Sequence, residues 1–176
     1  MAPLSLRPVR LLEVGVHQGT SVKTLSRYFA RGRVVGVDLK VPDIDLSDHP
    51  NVSLIACDQR DRSGLHQICD REAPQGFDVI IDDASHVGEW TLETYRALFP
   101  RLKPGGLYFI EDWATGYWPQ WFDGSSPRMT QVDGKRVVSH DFGVVGVVKS
   151  LVDDVVHQPV AWMHVRREIT VLREAD

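Results

Sequence analysis

The stretch Gly76–His86, which reads Gly-Phe-Asp-Val-Ile-Ile-Asp-Asp-Ala-Ser-His, constrains this chain more than any other. A turn residue opens it, and Phe77, Val79, Ile80 and Ile81 follow as a nearly continuous apolar run. A strand with one solvated face would alternate. A run apolar at successive positions needs cover on both faces, as in a parallel sheet with helices on either side. At its carboxyl end stand Asp82, Asp83, Ser85 and His86, where open α/β sheets place their ligands. Adjacent carboxylates there repel each other, so a cation is a natural partner. The alternative is structural, with Asp83 or Ser85 capping the next helix.

The rest of the chain supplies the alternating elements that such a sheet requires. Val9–Val14 reads as a first strand and leads into Glu13-Val-Gly-Val-His-Gln-Gly-Thr-Ser21. Gly15 and Gly19 allow a tight turn and close approach to a ligand, and Thr20 or Ser21 can cap a helix with Val22, Leu25, Tyr28 and Phe29 as its apolar stripe. Val34–Asp38 is a second strand. A carboxylate at its end, about 20 residues after a glycine loop, can accept both hydroxyls of a ribose. Leu39–Asn51 is too interrupted for a helix. Val52–Ala56 is a third strand, ending at Asp58, which can bond an adenine amino group or simply form a turn. Ser63–Arg71 and Glu89–Leu98 are helices, Arg101–Gly106 a turn, and Leu107–Ile110 a strand that delivers Glu111 and Asp112. With Asp83 these make a three-carboxylate set, hard oxygen donors suited to Mg²⁺; solvated loop acids are the alternative. Residues 113–141 form a long irregular stretch rich in aromatics, with a hairpin around Asp133–Gly134, and long loops in compact domains are usually lids or binding loops. Phe142–His157 is a last helix. Val160–Val165 and Ile169–Arg173 read as an antiparallel hairpin turning at Arg166–Glu168.

The expected fold class is therefore α/β: a doubly wound, mostly parallel sheet with an antiparallel C-terminal hairpin. The 176 residues fit one domain, 1–176, with 113–141 as an inserted lid. A net charge of −4 and no long basic run argue against nucleic acid as the partner. No apolar run is long enough for a membrane span, and the first residues lack a signal-peptide core. Cys57 and Cys69 have no zinc-site spacing, which fits reduced thiols and a cytoplasmic location.

Glu13–Ser21, Asp38 and the strand–helix alternation resemble the class I S-adenosylmethionine (SAM) dependent methyltransferases, whose fold is Rossmann-like. The resemblance implies SAM as cofactor. Glu13, Gly15, His17, Gly19, Thr20, Ser21 and Asp82 would lie around its methionine part, Asp38 would hold its ribose and Asp58 would approach its adenine. Ile80–His86 together with Leu98–Asp112 and Tyr117-Trp118-Pro119 resemble the Mg²⁺-dependent sugar O-methyltransferases, which act on macrolide sugars and rhamnosyl glycosides. By that resemblance Asp83, Glu111 and Asp112 bind Mg²⁺ and His86 is the base, with Asp83 sharing in catalysis. Trp113, Tyr117, Trp118 and His140 would meet a sugar or glycoside acceptor. Members of that group carry more chain before the first strand. The site here would then close by 113–141 alone or with a second subunit, and a homodimer is the expectation.

Three functions compete. The first is SAM-dependent, Mg²⁺-assisted O-methylation of a sugar hydroxyl, with a catechol-type phenol as the alternative acceptor because both present neighbouring oxygens. The second is a nicotinamide-dependent oxidoreductase, disfavoured because its phosphate loop wants Gly-x-Gly-x-x-Gly and position 17 is His. The third is a non-catalytic SAM-fold partner protein, disfavoured by the intact carboxylate and histidine set.

Overall fold

The computed structural model describes residues 3–125, 131–132, 136–137, 141–157, 160–165 and 169–173, with side chains for 3–125 and 141–153. The parallel strands are β1 (Arg10–Val14), β2 (Arg33–Asp38), β3 (Val52–Ala56), β4 (Phe77–Asp82) and β5 (Leu102–Ile110). Two short strands, β6 (Gln131–Val132) and β7 (Arg136–Val137), pair only with each other. β8 (Val160–Val165) pairs antiparallel with β9 (Ile169–Arg173), and β9 pairs antiparallel with β5. The sheet order is β3-β2-β1-β4-β5-β9-β8. The residues expected to turn at 133–134 and 166–168 lie outside the described ones.

Two-sided burial of the central strands drives the layering. Leu11 and Leu12 are adjacent in β1 and both fully buried, on opposite faces. On one face α1 (Thr20–Tyr28) contributes Val22 and the following Phe29 against Leu11, Val34, Val79 and Ile81. On the other, α2 (Arg62–Glu72), α3 (Gly88–Leu98) and α4 (Gly143–His157) bring Leu65, Ile68, Leu98 and Leu151 onto Leu12, Val35, Phe77, Ile80 and Tyr108. Each such core side chain is a large contribution: truncation of a buried Leu costs about 2–5 kcal/mol. No helix among the described residues is long and apolar enough to cross a membrane.

Three local readings need correction. Gly19, at φ +79°, is the N-cap of α1 and no side chain caps it, so neither Thr20 nor Ser21 has that role. The Ser21 hydroxyl instead bonds the Glu13 carboxyl. Tyr28 is 61% exposed, off the apolar stripe, because Val22, Leu25 and Phe29 already set the buried face at helical spacing. Residues 101–106 are not simply a turn: β5 starts at Leu102, which pairs with Phe77, and pairing resumes at Val79 with Leu107. The Lys103–Gly106 stretch is an irregularity inside a strand, where Pro and Gly end up at bulges.

From β1 to β3 the chain winds toward one sheet edge, and β4 and β5 lie on the other side of β1. The switch point therefore falls between β1 and β4. Hydrogen bonds continue the ladder past the strand ends there. The Gly15 N–H donates to Val37 O (2.8 Å), that of Asp83 to Val14 O (2.9 Å) and that of Glu111 to Asp82 O (3.0 Å). The loops that follow are thus fixed by the sheet.

Candidate functional site

A cleft of about 680 Å³ opens at the switch point, within the range of small-molecule sites. Gly15 and His17 form one wall, Asp38 and Asp58 another, and Asp83, His86 and Asp112 line it with Trp90 and Trp121. Gly15 has φ +96°, and a Cβ there would lie 2.2 Å from the Asp83 carbonyl oxygen. Contact with the end of β4 is by itself enough to require glycine here. Gly19 is favoured by its backbone at φ +79°, since the close neighbour of its Cβ would be the movable end of Ile44, Cδ1 at 2.2 Å, and it does not line the cleft.

Asp38 ties β2 to the glycine loop. Its Oδ2 accepts from the N–H of Val16 (2.8 Å) and of His17 (3.0 Å), and Oδ1 accepts from that of Lys40 (3.1 Å). Burial alone would raise its pKa, but the backbone donors, His17 first, outweigh it and hold the carboxyl below its usual range. Asp58 accepts from Arg60 Nε (2.9 Å) and a terminal guanidinium nitrogen (2.6 Å), which holds its pKa at about 2. The same guanidinium lies 4.6 Å from the centre of the Trp90 ring, a cation–π distance. Gln59 Nε2 donates to Thr94 Oγ1 at 2.9 Å, fastening this wall to α3.

Asp83, His86 and Asp112 each offer one donor atom, and the three atoms lie within 4.8 Å of one another. Burial and then the nearby Asp112 push the Asp83 carboxyl up to about 6, with His17 opposing. The Glu111 carboxylate is not part of this trio, contrary to the expected ligand set. The trio fits a divalent cation: two carboxylates, with Asp112 disfavouring the ionisation of Asp83, and an imidazole beside them. Asp112 sits in the left-handed region (φ +49°), as do His17 (φ +48°) and His86 (φ +55°). Strained non-glycine residues of this kind cluster at functional sites. His86 Nε2 is 3.8 Å from Asp83 Oδ1, too far for a hydrogen bond. Burial lowers the His86 pKa, against the pull of Asp112 and of Glu111.

Two expected cofactor residues lie inside the protein instead. Glu13 is 2% and Asp82 3% exposed, and neither lines the cleft. Burial raises Glu13 to about 7 and Asp82 to about 8. Glu13 Oε2, Asp82 Oδ2 and the Tyr108 hydroxyl are buried without a hydrogen-bond partner among the described residues. Thr20 and Ser21 also lie off the cleft wall.

The aromatic segment is partly folded. Trp113–Tyr117 makes a short 3-10 helix, with Trp113 packed against the core and edge-on to Tyr117 at 6.2 Å. Trp113, Tyr117 and Trp118 do not line the cleft, and His140 lies outside the described residues. Trp121 takes the place expected of them: its ring meets that of His86 edge-on at 5.2 Å. Trp121 belongs to the aromatics of the expected lid but not to the expected acceptor contacts, and the buried Asp123 is the residue that sequence reasoning missed. The signal available was Gly124, where a Cβ would lie 2.0 Å from the Trp118 carbonyl oxygen and which marks a tight turn after Trp121.

The sequence matches the methyltransferase domain family over residues 12–113. It is 37% identical over 157 residues to the demethylmacrocin O-methyltransferase of Streptomyces fradiae, covering 85% of this chain and 36% of that protein. It is 37% identical over 165 residues to the 8-demethyl-8-alpha-L-rhamnosyl tetracenomycin-C 2'-O-methyltransferase of Streptomyces olivaceus, covering 89% of this chain and 39% of that one. The fold superposes on MycE methyltransferase from the mycinamycin biosynthetic pathway, in complex with Mg, SAH and mycinamycin VI. The TM-score is 0.77 at 30% identity, over 96% of this chain and 46% of that one. The chain spans less than half the length of each of these relatives.

Proposed function

We propose that this chain, which belongs to the methyltransferase domain family, is a SAM-dependent, Mg²⁺-assisted O-methyltransferase acting on a sugar hydroxyl of a glycosylated acceptor. The observation that carries the reading is the convergence of Asp83, His86 and Asp112 on one side of a cleft whose other side is the glycine loop and Asp38. The relatives named above methylate macrolide or tetracenomycin glycosides, which supports a sugar carried on a larger apolar body.

SAM brings a methyl group already made electrophilic by its sulfonium, so the protein has to supply alignment and a proton acceptor. Asp38 holds the ribose side, Asp58 faces the adenine side and the Gly15–His17 loop holds the methionine part. Asp83 and Asp112, with Glu111 adjoining, hold Mg²⁺, which lowers the pKa of a bound hydroxyl and orients it. His86 is the base. In the neutral ring one nitrogen is an acceptor that can take the proton. Burial favours that neutral form. The acceptor oxygen gains the methyl carbon as the carbon–sulfur bond breaks, and its proton passes to His86, a contribution worth typically about 10²–10⁴-fold. Segment 113–141 is the lid on the acceptor side, a role supported by the contact of Trp121 with His86.

The test is a set of glycosides incubated with SAM and Mg²⁺ and read by mass for the gain of one methyl group. The gain should appear on a glycoside, stop with EDTA and return with Mg²⁺. Full activity in excess chelator would remove the metal from the mechanism. Methylation of catechols alone would move the acceptor to the phenolic class, and NAD binding without SAM binding would overturn the reading.

A further inference from the structure

The cleft explains which groups surround His86 but not what keeps its imidazole in place. His86 has φ +55°, a conformation that non-glycine residues avoid and that its surroundings must enforce. Two residues later α3 begins at Gly88, and no side chain of the His86 loop caps it. The Ser85 hydroxyl accepts only from Val87 N–H, at 3.2 Å.

The cap comes from elsewhere in the chain. Asp123 is 8% exposed, and its Oδ2 accepts from Gly88 N–H at 2.8 Å and from Val144 N–H at 2.6 Å. One carboxylate oxygen thus serves the first turns of α3 and α4 together, where both helix dipoles favour a negative charge. The convergence is tight. A Cβ on Gly88 would lie 2.0 Å from the Gly143 carbonyl carbon, and one on Gly143 would lie 2.5 Å from Asp123 Cγ. The position of Asp123 is therefore closely set by two helix ends.

Asp123 also fixes what faces His86 from above. Trp121 N–H donates to Trp118 O at 2.9 Å and Ser125 N–H to Trp121 O at 2.8 Å, so residues 118–125 form one compact turn. Trp121 projects from that turn onto the His86 ring, at 5.2 Å between centroids and 77° between planes. The backbone leaving His86 and the ring packed on His86 are anchored to the same side chain.

We infer that Asp123 is a positioning residue for His86, holding the imidazole through Gly88 on one side and Trp121 on the other. The functional part of this inference rests on His86 as the base; the geometric part does not. The test compares Asp123→Ala, Asp123→Asn and Trp121→Leu, each as the full chain, in two measurements. The first is NMR of the His86 ring C–H groups, assigned by their loss in His86→Gln, because the ring current of Trp121 displaces them. The second is kcat and KM for the glycoside acceptor, with SAH affinity measured alongside.

Asp123→Ala should move the His86 resonances toward those of an exposed imidazole, and Trp121→Leu should do the same. Both should lower kcat by about 10- to 100-fold, the scale of a misplaced catalytic group, with less change in KM and none in SAH affinity. Asp123→Asn keeps a carbonyl oxygen that can receive both N–H groups, so it should hold the resonances and most of kcat. A folded Asp123→Ala with wild-type His86 resonances overturns the proposal, as does a displaced ring with undiminished kcat. If Asp123→Ala does not fold, Asp123→Glu decides: its extra methylene must push the 118–125 turn, and unmoved resonances then sink the idea. Absence of methyl transfer by the wild-type chain would count against the proposed function and leave the NMR comparison to judge the positioning.

Discussion

Replacing Gly15 by Ala tests whether the glycine loop serves protein contacts. Two costs follow from the structure. The backbone at φ +96° strains any L side chain, about 1–3 kcal/mol. The new Cβ would also lie 2.2 Å from the Asp83 carbonyl oxygen, 2.6 Å from its carbonyl carbon and 2.7 Å from Ala84 Cα. These are backbone atoms at the end of a central strand, so relief requires the loop and β4 to separate by about 1 Å. Overpacking of that kind costs about 1–3 kcal/mol more. Gly105 supplies the control: it has φ +74°, and a Cβ there meets nothing within 4 Å. Gly105→Ala should therefore show the strain alone, while Gly15→Ala should lose about 2–6 kcal/mol. At about 2–4 °C per kcal/mol for a chain of this size, that is a clear fall in Tm. Urea unfolding followed by circular dichroism gives both values, and SAH and Mg²⁺ titrations of Gly15→Ala should weaken because Asp83 moves with β4. Equal losses in the two variants would refute the reasoning, for they would show that the loop can retreat from β4 freely.

Asp38→Ala removes the acceptor for Val16, His17 and Lys40 N–H groups. It should weaken SAH binding by about 1–3 kcal/mol, the range for hydrogen bonds to a charged group, and should also lower Tm; calorimetry showing unchanged affinity would remove Asp38 from the cofactor site. Asp82 has a folded pKa of about 8 against 3.8 for a free Asp, so the native state binds the extra proton. Stability is full below about pH 4 and is lost as pH rises through about 8, by up to about 1.4 kcal/mol per unit. Asp82→Asn has no proton to lose. It should match wild type near pH 4 and exceed it near pH 8 in urea melts, and parallel pH profiles would contradict the burial assignment. Asp83, at about 6, must lose its proton to bind a cation. Mg²⁺ affinity by titration should therefore fall as pH drops below about 6, and a flat profile to pH 5 would exclude Asp83 as a ligand.

Much of the sheet was legible because burial on two faces leaves an unmistakable pattern. β4 read directly from its apolar run, and β3, β8 and β9 fall on the spans expected for them. The start of β5 did not, because Lys103-Pro-Gly-Gly106 carries turn chemistry that a bulge inside a strand uses equally well. The cap of α1 was misread because a left-handed glycine replaced the usual side-chain cap. Asp123 had no local signal beyond the neighbouring Gly124. Its partners Gly88 and Val144 are 35 and 21 residues away in the chain, and only the meeting of α3 and α4 gives it a role.

The misplaced acids have one physical cause. Side chains alternate across a strand, so neighbours at a strand end point to opposite faces. Asp82 follows Ile80 into the face covered by α2, α3 and α4, near the Tyr108 hydroxyl, while Asp83 turns to the cleft. After β5 ends at Ile110, Asp112 turns in the left-handed region to join the trio, which Glu111 does not. This division matters for the electrostatics. Buried Glu13 and Asp82 have pKa values raised to about 7 and 8, so at neutral pH they carry much less charge than two free carboxylates would. The negative field then comes from Asp38 and Asp58 on one side of the cleft and, on the other, from Glu111 and the pair Asp83 and Asp112. A divalent cation between Asp83 and Asp112 would draw the Asp83 pKa back down, since a nearby positive charge favours the ionised form. The arrangement leaves charge where a cation can use it and keeps Asp82 mostly and Glu13 partly protonated at neutral pH, which lets the sheet tolerate so many carboxyl groups around one switch point.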